Sequence, residues 1–317
     1  MADPIKPVRR DHRQYRSALE LRLFELALAV VPRLPRRVVL FLARWSGRAA
    51  WYLAHRDRRI ALANLRLAFG DSLTDRQRVR LVRQCFQRVA LTALDLLWFS
   101  RDTRRRLAQY VTLDESLAKW IRQGGPYVAV TAHFGNWEML GPFAAMQGLP
   151  LTSVAKPLRN IEIDERVTAF RTAMGQVIVP REGALRALLR VLKSKGVVAL
   201  ALDQDTRPAD GGTFVPFFGV PVPVSNAAAM LALRLGVPVL PGFCRAEPGG
   251  YYRGYAREAL MPADFAGDTE EALTARITAE IEAEIRATPD QWLWSYKRWK
   301  RRQPDFDPAR YPYYADC

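Results

Sequence analysis

Past Gly124-Gly125-Pro126 the chain changes texture: short apolar, β-branched runs alternate with segments of helical period. YVAVTA, LTSVA, VVALAL and VPVLPGFC each read as a buried strand. Between them, residues 136–147, 161–174, 182–195 and 226–235 read as helices, the last capped by Ser225 and stopped by Gly236. Strands alternating with helices predict an α/β fold with a mainly parallel central sheet flanked by helices. A final helix is expected over residues 268–287. Asp268 and Glu271 stand there at capping-box spacing, and Leu273, Ile277, Ile281 and Ile285 form its apolar stripe. With 49% hydrophobic residues in 317, there is material for a full core.

Upstream the texture is helical and rich in arginine. Thr74 is the expected cap of a helix carrying Val79, Val82, Phe86, Val89, Leu94 and Leu97 on its apolar side. Residues 19–31 and 38–54 are two further apolar helices, joined at Pro32-Arg33-Leu34-Pro35. Charged residues interrupt both: Glu20, Arg22 and Glu25 in the first, Arg44 and Arg48 in the second. A span needs roughly 20 mostly apolar residues, and a central arginine costs about 2.5–3.5 kcal/mol on insertion scales. The expected arrangement is therefore two helices lying in the membrane interface, with Trp45, Trp51 and Tyr52 at headgroup depth and Arg36, Arg37, Arg44 and Arg48 facing anionic lipid. Plain packing on the rest of the chain and a tilted single span are the alternatives.

The charge balance, 48 basic against 32 acidic residues, gives +16 and favours polyanionic partners. Nucleic acid, an anionic membrane face and an acidic carrier protein all qualify. No helix-turn-helix, zinc-finger or RNA-binding signature supports the first, so no nucleic acid is expected. Cys85, Cys244 and Cys317 are odd in number and far apart, which predicts neither a disulfide framework nor a zinc site. His12, His55 and His133 include no close pair, and no metal is expected.

The sharpest local signal is TAHFGNWEML, residues 131–140. On one helix His133 and Glu138 would stand about 140° apart. They converge if His133 ends the strand and Glu138 sits in the first helical turn after Gly135-Asn136. Ligands of α/β sheets bind beyond the carboxyl ends of strands, which is where His133 would lie. A neutral imidazole can take a proton from an attacking alcohol, and a carboxylate fixes its tautomer. A core histidine bonded to a nearby acid is the alternative.

HFGNWE resembles the His-x4-Glu signature of the lysophospholipid-type acyltransferase superfamily, in the form used by the bacterial lipid A late acyltransferases, the lauroyl and myristoyl transferases. IALANLRLAFGD (60–71), ALDQDTRPADGGTFVPFFG (201–219) and QWLWSYKRWKRR (291–302) are similar to further blocks of that family, in the family's order. The resemblance implies a glycerolipid acyltransferase-like fold, with residues 1–55 a membrane-associating helical segment and 56–317 the catalytic domain. It implies transfer of an acyl chain from acyl carrier protein to a hydroxyl of a Kdo-bearing lipid A precursor, with His133 as base and Glu138 as its orienting partner, and with no cofactor. Another glycolipid or phospholipid acceptor and coenzyme A thioesters stay open. Asp203, Arg171, Asn136 and Arg298 are the implied substrate-binding residues, with Arg166 and Arg181 competing with Arg171. Phe214, Phe217 and Phe218 are either acyl-channel lining or core. Arg298, Lys300, Arg301 and Arg302, alternating with Trp292, Trp294 and Trp299, suit a phosphate-bearing lipid at an interface. The implied place is the cytoplasmic face of the inner membrane.

Overall fold

In β2 (Tyr127–Thr131) and β5 (Val197–Ala201), side chains of period two divide between two cores. Val128, Val130, Val198 and Leu200 enter one, and Tyr127 and Val197 the other. That division requires a sheet covered on both faces, and a parallel sheet supplies it. The computed structural model describes residues 12–316. Its seven-stranded sheet has the order β1-β9-β8-β2-β5-β3-β4. The remaining strands are β1 (Val111–Leu113), β3 (Leu151–Ala155), β4 (Val177–Pro180), β8 (Val239–Ala246) and β9 (Tyr252–Ala256). All neighbours are parallel except β8 and β9. The α/β expectation therefore holds. A separate antiparallel hairpin, β6 (Gly212–Phe217) with β7 (Val220–Ser225), was not anticipated.

One face of the sheet carries α9 (Ala184–Lys193), α10 (Ala227–Leu235), α11 (Glu270–Ala287) and the hairpin in the largest core. The other carries α6 (Glu115–Gln123) and α7 (Trp137–Met146). Most element boundaries fall within a few residues of expectation. Thr74 caps α4 (Asp75–Trp98) in a reciprocal capping box with Gln77. At α11 the cap is Thr269, which accepts from the Ala272 amide, rather than Asp268. Asp268 instead pairs with Arg276 at 2.9 Å.

Before the sheet come α1 (His12–Val30), α2 (Arg36–Leu53) and α3 (His55–Phe69). Val31 and Val39 share a core with Met139 and Phe143 of α7 and with Phe170 of α8 (Ile161–Thr172). Ion pairs Glu20–Arg159 and Glu25–Arg166 bind α1 to the start of α8. One side of these helices thus packs on the catalytic body. The other side is bare: Leu19, Leu23, Leu26 and Val30 recur along α1 and Val38, Phe41, Trp45 and Tyr52 along α2, all exposed. Trp51, expected at headgroup depth, is buried instead. Among the described residues no helix is long and apolar enough to cross a membrane.

Candidate active site

The parallel register pairs Thr131 with Ala201, so whatever follows β2 faces whatever follows β5. His133 and Asp203 are those residues. Asp203 Oδ1 lies 2.8 Å from His133 Nδ1, and its Oδ2 accepts from the His133 amide at 3.0 Å and from Trp292 Nε1 at 2.8 Å. The carboxylate is buried, while the imidazole retains 23% exposure. With Nδ1 donating to Asp203, the Nε2 lone pair faces the Gln204 side-chain amide. Gln204 Nε2 stands 3.2 Å from Nε2 and 3.4 Å from Nδ1, against the ring. Trp137 meets the same imidazole edge-on, with ring centroids 5.1 Å apart.

Burial disfavours the imidazolium, but the Asp203 charge and hydrogen bond, with Glu138 adding to them, hold the His133 pKa above its ordinary value. Burial pushes Asp203 the other way; its hydrogen-bonded neighbours, His133 first, keep it below the usual carboxylate range. A raised histidine beside a depressed acid is the signature of a base whose conjugate acid is stabilised.

Glu138 occupies the first turn of α7, as expected, but its bonds go elsewhere. Arg171 of α8 grips it in a fork, Nε to Oε2 at 2.8 Å and Nη2 to Oε1 at 2.7 Å, and Trp137 Nε1 donates to Oε1 at 3.1 Å. The imidazole's hydrogen-bonded carboxylate is therefore Asp203, 70 residues away. Glu138 adds only its charge to the upward shift of the His133 pKa. Arg171 is the arginine at the site, because Arg166 pairs with Glu25 and Arg181 reaches only Thr206, at 3.5 Å.

The loop between the two is clamped. Gly135 has φ +58°, and a Cβ there would stand 1.9 Å from the Cys244 carbonyl oxygen. The Gly135 amide donates to Gln291 O and the Asn136 amide to Cys244 O, and Leu293 donates to His133 O. Asn136, expected to bind substrate, is 1% exposed and donates through Nδ2 to Asp95.

The C-terminal block departs most from expectation. Trp292, Trp294 and Trp299 are at most 1% exposed and pack with Phe217 and Phe218, so these aromatics are core and not interface. Phe214 is only partly buried. Arg298 is also 1% exposed, donating to Pro223 O at 3.0 Å, with Nε and Nη2 unpartnered. Burial pulls its pKa down to about 10 against the pull of Asp203, Tyr296 and Asp205. At 1% exposure the side chain presents nothing to a lipid at the surface. Lys300 and Arg301 converge on Asp205 at 2.9 and 3.1 Å. Two residues at the site go beyond the sequence reading, Gln204 against the His133 ring and Trp292 on Asp203, although Gln204 adjoins Asp203 in the sequence. Among the described residues no group of three or more His, Cys, Asp or Glu is placed to hold a metal ion. Cys85 and Cys244 are buried free thiols, and Cys317 lies outside the described residues.

Residues 10–301 match the family described as bacterial lipid A biosynthesis acyltransferase. A lipid A biosynthesis lauroyltransferase of Escherichia coli (strain K12) is 28% identical over 291 residues, covering 90% of this chain and 92% of that protein. The lipid A biosynthesis palmitoleoyltransferase of the same organism is 27% identical over 275 residues, 85% of this chain and 87% of that one. A phosphatidylinositol mannoside acyltransferase of Mycobacterium tuberculosis (strain ATCC 25618 / H37Rv) is 27% identical over 203 residues, 63% of this chain and 62% of its own length.

Proposed function

The chain belongs to the bacterial lipid A biosynthesis acyltransferase family, and on that premise we propose that it moves a fatty acyl chain from acyl carrier protein to a hydroxyl of a Kdo-bearing lipid A precursor. His133 Nε2 takes the hydroxyl proton as the oxygen attacks the thioester carbonyl. The tetrahedral oxyanion then collapses, the C–S bond breaks, and the leaving thiolate takes the proton back from the imidazolium. No covalent acyl-enzyme and no bound cofactor enter this scheme. Asp203 holds Nδ1 protonated and stabilises the imidazolium. Glu138, fixed by Arg171, adds negative charge near the ring. A substrate hydroxyl that reaches His133 Nε2 takes the place of the Gln204 amide, which stands 3.2 Å from it and is then at hand to donate to a substrate oxygen.

The observation that carries the reading is the buried Asp203 carboxylate on Nδ1 of a part-exposed His133 at the sheet's carboxyl edge, whose Nε2 meets only the side-chain amide of Gln204. The test is an acyl-transfer assay in detergent micelles with labelled Kdo-bearing precursor and a panel of carrier-bound and coenzyme A thioesters. Transfer by the wild type that collapses in His133→Ala and Glu138→Ala supports the reading and reports chain length and donor. Full activity in His133→Ala sinks the mechanism. The phosphatidylinositol mannoside relative favours one other acceptor, mannosylated phosphatidylinositol, as a second arm of the assay.

The apolar stripes of α1 and α2 support docking on the cytoplasmic face of the inner membrane, with the +16 charge drawing the chain to anionic lipid and to an acidic carrier. Phe41→Ser with Trp45→Ser is expected to reduce flotation with anionic vesicles severalfold; unchanged flotation would remove this face from the docking surface.

A further inference from the structure

The loop that carries His133 and Glu138 has an anchor outside the site. Asn136 is the residue before α7, a position where an asparagine ordinarily caps the helix. It makes no such cap. Its Nδ2 turns inward and donates at 3.0 Å to Asp95 Oδ2, on α4. Asp95 is fully buried. It also accepts from the Tyr252 hydroxyl and from the guanidinium of Arg36, whose second contact runs from Nη2 to Oδ2 at 3.3 Å. Arg36 is buried as well, donates to Gly250 O at 2.8 Å, and lies over Trp98 at 4.8 Å and Tyr110 at 5.5 Å.

We propose that Asp95 is a positioning residue for the acyl transfer: its carboxylate holds Asn136, and through it the His133–Glu138 loop, while Arg36 from α2 neutralises the buried charge. The inference rests on the reading of His133 as base. Stability alone does not account for the cluster. Removing two charges from water costs several kcal/mol per ion, and well-packed apolar residues often serve a fold as well or better. The cluster is not even saturated, since Arg36 Nε and Asn136 Oδ1 lack partners. What the arrangement does supply is one rigid acceptor, reached from the loop three residues after His133 and two before Glu138. α4 adds a second contact, from Thr92 Oγ1 to Gly135 O at 3.3 Å. Arg36 begins the helix whose far side shows Val38, Phe41 and Trp45, so the anchor is shared with the bare face of α2.

The double variant Arg36→Met/Asp95→Leu tests this by removing the acceptor without leaving a buried charge. It is expected to fold with a lowered Tm, because Asn136 Nδ2 and the Tyr252 hydroxyl lose their acceptor, and to lose about 100-fold in kcat at nearly constant KM, the scale of a small misplacement of a catalytic group. Arg36→Met/Asp95→Asn keeps an oxygen for Asn136 and is expected to recover most of that loss. Asn136→Ala, which leaves the Arg36–Asp95 pair intact, should reproduce the loss and add nothing to the Leu variant. An apolar double variant that keeps a third of kcat, an Asn variant as slow as the Leu variant, or independent losses for Asn136→Ala would each overturn the proposal. Should the Leu variant not fold, Asn136→Ala decides: wild-type kcat in it overturns the proposal. NMR titration of the ¹⁵N-labelled His133 ring needs no substrate. A midpoint that moves toward the ordinary value in Asn136→Ala supports the anchor, and an unmoved one opposes it. Inactivity of the wild type toward every acceptor would instead count against the proposed function.

Discussion

Asp203→Asn separates the orientation of the imidazole from its mere presence. In the wild type Oδ2 receives two N–H donors, the His133 amide at 3.0 Å and Trp292 Nε1 at 2.8 Å, while Oδ1 faces Nδ1 at 2.8 Å. An asparagine has one acceptor oxygen. If that oxygen keeps the two donors, the amide NH₂ faces Nδ1, which must become an acceptor, and the ring proton moves to Nε2. The base is then blocked. Turning the amide over restores the working tautomer but leaves two buried donors facing an NH₂ group. Each unsatisfied group costs about 1–3 kcal/mol, so the working state lies roughly 2–6 kcal/mol higher. At about 1.36 kcal/mol per decade the rate falls between about 30-fold and about 3 × 10⁴-fold. The assay is acyl transfer at saturating acceptor, with KM measured alongside. The loss is expected in kcat with KM little changed. Replacing Trp292 by Phe in the same chain removes one donor, so Asp203→Asn/Trp292→Phe should be faster than Asp203→Asn alone. Wild-type kcat in Asp203→Asn, or a double variant slower than the single one, would refute the tautomer argument.

Arg171→Ala leaves the nearly buried Glu138 carboxylate without its fork, and should cost about 3–5 kcal/mol in denaturant unfolding as well as activity; Arg171→Lys, a point charge without the planar fork, should recover only part. Gly135→Ala combines a left-handed backbone with a Cβ 1.9 Å from Cys244 O. It is expected to lose at least ~2–3 kcal/mol of stability and nearly all transfer, and a folded, active Ala variant would show that the clamp is dispensable. The raised His133 pKa sets the pH behaviour. The base is neutral only above its folded midpoint, so kcat/KM should rise along an acid limb centred above about pH 6.5. The stabilisation from the charged ring is complete below that unfolded value and is lost as pH rises through the folded midpoint. Thermal scans and rates across pH 5–9 check both, and an acid limb below pH 6 contradicts the assignment.

Much of the fold and part of the site were legible in the sequence because they depend on local period and turn chemistry. The apolar runs 127–131, 151–155 and 197–201 alternate too briefly for helices, and the helices between them carry their own caps and stops. Gly135 announced the tight turn that separates His133, past a strand end, from Glu138, in a first helical turn. The block around Asp203 placed that acid at the same sheet edge. What neighbour spacing cannot encode is which charges meet. His133 bonds to Asp203 because two parallel strands share a register, and Glu138 turns to Arg171 because α8 packs beside α7. The same holds for the basic and aromatic C-terminal block. Its composition matches a lipid interface, yet tertiary packing buries all three tryptophans and Arg298, since the hairpin β6–β7 needs apolar volume against it. Asp95 gave no sequence signal, and Arg36, expected to face anionic lipid, is instead buried against Asp95. Their burial beneath the catalytic loop exists only once α2, α4 and β9 close around them. The sequence by itself determined most of the elements, their order and the two ends of the loop from His133 to Glu138. The tertiary structure decided the partners, because a hydrogen bond is set by distance in space and only the folded sheet brings residues 70 apart to 2.8 Å.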